Sequence, residues 1–515
     1  MKIARRSVMA LLTTQFVALL ATAPILHARA SASAGVQEKV REAAVAGAFY
    51  PADPKALSQM IDDMLAKAAP QPVDGQILAA VAPHAGYPYS GPVAAWTYAA
   101  LKGRRYSRVV VIAPTHYVGF DFTSVYDGDA YETPLGAVPV DKEFSLRLAK
   151  MDATIRLSDK GHQSTPDAPE HSVEVELPWL QKVLGNFELV PVVMGDTSYK
   201  SSRTLGVALA KMLRDDHSTL VLASSDLSHF HRYDEAQTID HKTLAALEAW
   251  DYLSMSRNFQ YRGSGQPGIW EACGGAPIVA AMIYAERKGA NKAEVLRYAN
   301  SGDVTSDRSR VVGYSADIFV QSAHTADADP PFSLSDSEKA ELLGVARSSV
   351  ESIVQKSEPF APAPGTSETL NREYGAFVTL TEGGALRGCI GYTSPVKPLT
   401  MTVRDTATLA ATHDPRFRPV EPPELPQLAY EISVLSPLRR VMDVEQIKIG
   451  RDGLLVKNGD REGLLLPQVP AGQNWNRQTF LEQTCVKAGL DPSCWKSENT
   501  DVFSFTAVVF NDHER

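Results

Sequence analysis

From about residue 41 to residue 320, short apolar runs alternate with longer amphipathic stretches. Residues 77–83, 108–114, 187–195 and 219–226 are β-branched or apolar over most of their length, and each ends in turn chemistry. Between them lie helical patterns such as 170–184, where Val173, Leu177, Leu180 and Leu184 recur at spacings of 4, 3 and 4, the period of one helix face. Pro178 falls inside that stretch and should kink the helix or confine its regular part. Strands alternating with helices predict an α/β domain with a mainly parallel sheet, covered on both faces.

The pattern changes after His324-Thr325-Ala326-Asp327-Ala328-Asp329-Pro330-Pro331, a polar, proline-bearing stretch that reads as a linker over 321–335. A helix is predicted over 336–354, with Leu342, Leu343, Ala346, Val350 and Val354 on one side. Strands over 376–381 and 386–392 flank Glu382-Gly383-Gly384, and strands over 453–457 and 463–467 flank Asn458-Gly459, a hairpin signal. Further strands over 428–435 and 502–510 and helices over 399–413 and 477–490 complete an α+β domain with an antiparallel sheet, spanning 336–513. Two domains of different class therefore share the chain of 515 residues, too long for one core.

The first 30 residues stand outside both domains. Lys2, Arg5 and Arg6 precede a mostly apolar stretch over 8–26, followed by Ala28-Arg29-Ala30. A basic segment, an apolar segment and a small-x-small site read as a cleaved export signal. The expected product is periplasmic or extracellular and has no membrane span. The full chain carries 51 Lys+Arg against 60 Asp+Glu, a formal charge of −9, with no long basic run. A nucleic-acid partner is not expected. Four cysteines are too few for a disulfide-built scaffold and contain no CxxC pair. Cys485 and Cys494 are nine residues apart. An oxidising compartment would allow them to pair, but spacing alone does not establish the geometry.

In an open α/β sheet, ligands bind beyond the carboxyl ends of the strands. Residues 77–83 run into His84, residues 108–114 into Thr115-His116, and the strand from 219 into Asp226-Leu227-Ser228-His229. Three strand ends thus each deliver an imidazole, in a chain with 12 histidines. Any one of them is as well explained by a bond to a loop carbonyl; together they favour metal binding or acid–base chemistry. Two histidines and one anionic group would form a facial triad with open positions, as in non-haem iron sites. The third ligand is either Asp226 or Cys273. The cysteine precedes a helical run over 276–286, whose positive end favours thiolate, although a small buried hydrophobe reads the same way. Glu170 and Ser172 are expected to serve ordinary helix-start chemistry, and His171 to support the site. A hydrolase using Asp226 and His229 lacks a GxSxG elbow or other positioned nucleophile.

Several motifs resemble those of the Memo family: Gly47-Ala48-Phe49-Tyr50-Pro51-Ala52-Asp53, Ala82-Pro83-His84-Ala85-Gly86-Tyr87, Pro114-Thr115-His116, Glu170-His171-Ser172, Ser224-Ser225-Asp226 and Cys273-Gly274. They cover about 43–318. That family resembles the LigB-type, class III extradiol dioxygenases, so the resemblance implies their three-layer fold. It also implies one iron or copper ion per chain on His84, His116 and Cys273. Asp226 and His229 would lie beside it, with His229 as acid–base, and Tyr87 and His171 in or behind the pocket. In the dioxygenase relatives the third ligand is a carboxylate, so a cysteine there counts against ring cleavage; a thiolate also suits copper.

The second half resembles the AMMECR family through Leu386-Arg387-Gly388-Cys389-Ile390-Gly391, His413-Asp414-Pro415-Arg416-Phe417, Glu431-Ile432-Ser433-Val434-Leu435 and Gly450-Arg451-Asp452-Gly453-Leu454. Arg387 and Cys389 would set a thiol beside a guanidinium, but a buried strand cysteine with a structural arginine is the favoured explanation. Separate genes of these two families often accompany a radical-SAM gene in prokaryotes, the AmmeMemoRadiSam group. Two readings follow. One is a metal-binding redox protein, a non-haem oxidoreductase related to extradiol dioxygenases, with a small molecule or oxygen at the metal. The other is a non-enzymatic metal- or peptide-binding module with a second domain that docks a protein partner.

Overall fold

The computed structural model describes residues 38–259, 271–322, 332–393 and 397–512. The export signal expected over 1–30 and most of the expected linker fall outside them. The apolar runs of the first half become β1 (Gln76–Ala82), β2 (Arg108–Pro114), β3 (Thr123–Val125), β4 (Ile155–Leu157), β5 (Glu188–Met194), β6 (Thr219–Ser224), β7 (His229–His231), β8 (Lys292–Asn300) and β9 (Val311–Gln321). They form one sheet in the order β7-β9-β1-β6-β2-β5-β3-β4, with β8 pairing β9.

The core strands β1, β6, β2 and β5 are parallel. Along each of them alternate side chains enter two separate cores: Val110 and Ile112 on one face, Val109, Val111 and Ala113 on the other. Helices Tyr199–Met212 and Gly275–Arg287 cover the first face, and Pro54–Lys67, Tyr87–Leu101 and Leu177–Leu184 the second. Burial on both faces accounts for near-continuous apolar strands.

The sheet is mixed rather than mainly parallel. β9 joins β1 antiparallel, β8 and β7 join β9 antiparallel, and β3 joins β5 antiparallel. The connection from β8 to β9 holds a single short helix, Ser301–Thr305, too little for a parallel crossover, which needs a dozen or more residues. Pro178 confines its helix as its chemistry requires. A 3₁₀ turn, Glu174–Glu176, precedes the regular part, Leu177–Leu184, and the proline sits in the first turn, where a missing N–H costs nothing.

The second half forms an all-antiparallel seven-stranded sheet. Its strands are β10 (Ala376–Glu382), β11 (Ala385–Tyr392), β12 (Leu428–Leu435), β13 (Arg439–Arg440), β14 (Asp452–Asn458), β15 (Arg461–Leu465) and β16 (Asp501–Asn511). Their order is β11-β10-β12-β16-β14-β15, with β13 on β16. Gly383 and Gly384 turn β10 into β11 with φ of 57° and 82°, the left-handed region in which glycine carries no Cβ penalty. Helices Asp336–Lys356 and Leu399–Thr412 pack on one face. Helix Arg477–Lys487 ends three residues before the expected boundary at 490, and its Cys485 is disulfide-bonded to Cys494 with Cα atoms 5.9 Å apart.

The two halves share a core. Leu455, Phe503 and Phe505 of the second sheet join Leu205, Met255 and Ile283 of the first domain in one apolar cluster. At its edge Asp501 accepts from Arg203, Arg287, Arg440 and Tyr199. Three guanidinium groups hold this buried carboxyl below the usual carboxylate range, despite the burial that opposes ionisation.

Candidate metal centre

β1, β6 and β2 are neighbours in the sheet and run in the same direction, so their carboxyl ends lie side by side. That adjacency brings together His84, the Asp226–His229 loop and His116. The His84 and His116 rings stand edge to face with centroids 5.1 Å apart. Helix Gly275–Arg287 brings Cys273 in from the other side, 3.1 Å from Sγ to the Nε2 of His84. The approach depends on Gly274: a Cβ there would lie 2.3 Å from the Ser224 carbonyl oxygen and 2.6 Å from the Ser225 Cβ. The backbone N–H of Cys273 donates to the Asp226 carbonyl at 3.2 Å, and that of Asp226 donates to Cys273 Sγ at 3.2 Å.

Two overlapping groups have ligand atoms all within 4.8 Å of one another: His84, His116 and His171, and His84, Asp226 and Cys273. His84 belongs to both. The His171 ring stacks on His116 at 4.7 Å and 9°, and its Nδ1 is buried with no hydrogen-bond partner. It is therefore placed as a ligand candidate in its own right, beyond the supporting part its sequence position suggested.

Glu170 does more than open a helix. It accepts from the backbone N–H groups of His171 and Ser172, as helix-start chemistry requires, but its two oxygens also take the backbone N–H of His116 at 2.6 Å and its Nδ1 at 2.9 Å. Ser172 donates its hydroxyl to the Pro114 carbonyl at 2.8 Å, tying the same motif to the end of β2. Spacing along the chain held no sign of either bond, because 54 residues separate Glu170 from His116. Burial works against charge on His116 but is outweighed by hydrogen bonds to Cys273 and Glu170, which raise it to about 10. Glu170 is held down at about 2 by the same pairing, although burial opposes it. The His171 ring is lowered to about 4, by burial and then by the charge of His116.

His84 is lowered well below its ordinary value, by burial first and then by His116, His171 and His229. Asp226 accepts from the backbone N–H groups of His84 at 2.9 Å and Ala85 at 3.2 Å, and burial pushes it up to about 7 against their pull. His229 sets its Nδ1 2.9 Å from the Leu227 carbonyl, which points that nitrogen's proton at the backbone and directs Nε2 elsewhere. Tyr87 does not line an open pocket: it is 1% exposed, and its hydroxyl donates to the Val175 carbonyl at 2.7 Å.

In the second domain, Arg387 is a structural arginine. It makes a two-pronged ion pair with Glu424 and donates to the carbonyls of Arg418 and Pro419. The guanidinium beside the Cys389 thiol belongs instead to Arg416, which also donates to the Cys389 carbonyl and is itself gripped by Asp414. Thr379 donates its hydroxyl to Cys389 Sγ at 3.2 Å.

Histidines and a cysteine converge at the strand ends of an α/β sheet, the edge at which open sheets of this class bind ligands. Residues 41–318 match the Memo-like protein family and residues 343–510 match AMMECR1. The chain belongs to the Memo family and carries an AMMECR1 domain after it. A MEMO1 family protein of Methanopyrus kandleri is 38% identical over 291 residues, 54% of this chain and 98% of that one. A protein of Thermococcus kodakarensis is 44% identical over 181 residues, 33% of this chain and 88% of its own. Among solved structures, an uncharacterized protein, PH0010, from Pyrococcus horikoshii is 39% identical and covers 35% of this chain and 94% of its own, with a TM-score of 0.34.

Proposed function

We propose that the first domain binds one redox-active transition-metal ion, iron or copper, on His84, His116 and Cys273, in a fold of the class III extradiol dioxygenase type. The observation that carries this reading is the meeting of the Cys273 sulfur with the His84 Nε2 at 3.1 Å, beside an imidazole whose other nitrogen is held by a carboxylate. Ligating histidines are commonly fixed through the ring nitrogen that does not bind the metal. His116 has Glu170 at Nδ1, and His84 has Ser224 at Nδ1, 2.8 Å away. Each ring is thus held through Nδ1, and the Nε2 atoms of both would be the ones to bind the ion. A thiolate with two imidazoles is a donor set that copper and iron both accept.

The bound ion would supply Lewis acidity and one-electron chemistry to a small molecule or oxygen at its open positions. The chain's own groups would do the rest. His229, oriented through Nδ1, would exchange a proton with that molecule through Nε2. Asp226 would hold the His84 loop through two N–H groups.

The apolar leader and the Cys485–Cys494 bond both support a place outside the cytoplasm, where disulfides persist. Among the described residues no helix is long and apolar enough to cross a membrane.

Elemental analysis of the purified protein tests the metal reading, alongside His84→Ala and Cys273→Ser. Close to one iron or copper per wild-type chain, lost in both variants, is the expected result. A folded wild-type chain that takes up neither metal sinks it.

A further inference from the structure

Behind His84 runs a line of buried side chains that neither the strand-end motifs nor the metal reading accounts for. Tyr98 and Glu176 lie on separate helical elements facing β6, and Tyr98, Glu176 and Ser224 are all 0% exposed. Tyr98 donates its hydroxyl to one oxygen of Glu176. The other Glu176 oxygen lies 2.8 Å from Ser224 Oγ. Ser224 Oγ also lies 2.6 Å from the Ser172 carbonyl oxygen and 2.8 Å from His84 Nδ1.

The proton count in this line has one consistent solution. A serine hydroxyl has a single proton and two lone pairs. A carbonyl only accepts, so at 2.6 Å the Ser224 proton belongs to Ser172. Both lone pairs of Ser224 then require donors, and the groups facing them are Glu176 and His84. The carboxyl must therefore present an O–H, and the imidazole must present Nδ1–H. The second Glu176 oxygen, now a neutral acid's carbonyl, accepts from Tyr98. Every polar atom in the line is satisfied, as burial demands. Burial independently pushes Glu176 well above the usual carboxylate range, against the pull of the Tyr98 and Ser224 hydroxyls.

We propose that Glu176, acting through Ser224, is a positioning residue that locks the His84 ring with its proton on Nδ1 and its Nε2 lone pair aimed at Cys273. A neutral imidazole must choose one nitrogen for its proton, and the wrong choice would turn an N–H toward the sulfur. Glu176 makes that choice from the far side of the sheet end without touching the site. Its importance for metal binding rests on the reading that His84 is a ligand; the tautomer itself does not.

Nitrogen chemical shifts of 15N-histidine-labelled, metal-free full-length protein report the tautomer, and titration with cobalt(II) reports the affinity. Wild type should show Nδ1–H at His84. Glu176→Gln should keep that tautomer and hold the cobalt affinity within about threefold, because a carboxamide donates to Ser224 and accepts from Tyr98 as the neutral acid does. Ser224→Ala should populate both tautomers and weaken cobalt about tenfold or more, the usual cost of removing a group that orients a ligand. A wild-type His84 carrying its proton on Nε2 overturns the proposal whatever the variants do. So does Glu176→Gln behaving like Ser224→Ala, which would make the carboxyl an ionised acceptor. A wild-type protein with Nδ1–H that binds no cobalt would sink the metal reading and leave this one standing.

Discussion

Each half of the molecule sets a free cysteine among charged groups, and the two settings differ in what is left unspent. Around Cys389, Arg416 is taken by Asp414, Arg387 by Glu424 and two carbonyls, and the Cys389 backbone N–H by Asp414. Donors and acceptors there are matched within the protein, and the carboxylates have guanidinium partners. Around Cys273, three imidazoles crowd together, one with a buried nitrogen that finds no partner, and the nearby Asp226 is pushed up by burial. A network that closes on itself contributes stability. One with capacity left over is poised for something further, since unmet buried polar groups are costly to keep.

The sharpest test of this contrast is to remove a donor from each side. His84→Ala or Cys273→Ser should abolish stoichiometric metal, measured by elemental analysis, and the near-isosteric Cys273→Ser should change the melting temperature of the metal-free chain little. Arg387→Ala should do the reverse. It leaves Glu424 without its guanidinium and should cost about 3 kcal/mol in denaturant unfolding, with metal content unchanged. If Arg387→Ala costs nothing, the second cluster is not the structural network its bonds indicate.

Titration separates the two carboxylates. Asp226 is raised in the folded state to about 7, so folding favours its protonated form. Its contribution is fully present below its unfolded value near 4 and is lost as pH rises toward 7, at about 1.4 kcal/mol for each pH unit between those two values. Asp414 is held down chiefly by Arg416, so its contribution is present above the unfolded value and is lost only as pH falls below it. Metal-free Asp226→Asn should therefore show a flatter fall in stability between pH 4 and 7 than wild type, while Asp414→Asn should leave that window unchanged. Unfolding curves at a series of pH values decide it. The smallest effect expected is that of Cys389→Ser, whose hydroxyl can still accept from Thr379 and face Arg416. It should keep wild-type metal content and shift stability by less than about 1 kcal/mol. Metal loss in that variant would mean that the two thiols had been assigned the wrong parts.

Much of the architecture was legible along the chain. The bounds expected for β2 and β12 coincide with those observed, and Pro178 marks where its helix becomes regular. These features are set by local periodicity and backbone chemistry. The antiparallel attachment of β9 was not legible, since its sense depends on the length and packing of the connection rather than on the strand's own residues. Family motifs pointed to His84, His116 and Cys273 but gave Glu170 no more than helix-start chemistry, because its partner sits on a different strand end. Arg387 stands out in the sequence because it lies two residues from Cys389. The ladder of β11 is irregular at Arg387, which is left unpaired between Leu386 and Gly388, and Arg416 from a distant loop is the guanidinium that reaches the thiol. The Cys485–Cys494 bond likewise needed the geometry of the turn after the helix at 477–487.

What the residues determined by themselves is the inventory: two apolar grammars, one for each domain, and imidazoles stationed where strands end. Periodicity is local, so it survives being read in one dimension. What only the folded chain decided is which of those groups meet and which way their protons point. The order of β1, β6 and β2 in the sheet places His84, Asp226 and His116 side by side, a glycine lets a helix bring in the sulfur, and a buried acid far along the chain faces Ser224 behind one ring. Those contacts join residues from 48 to 189 positions apart. Long-range contacts of this kind are fixed by close packing around a shared core, which no local pattern encodes.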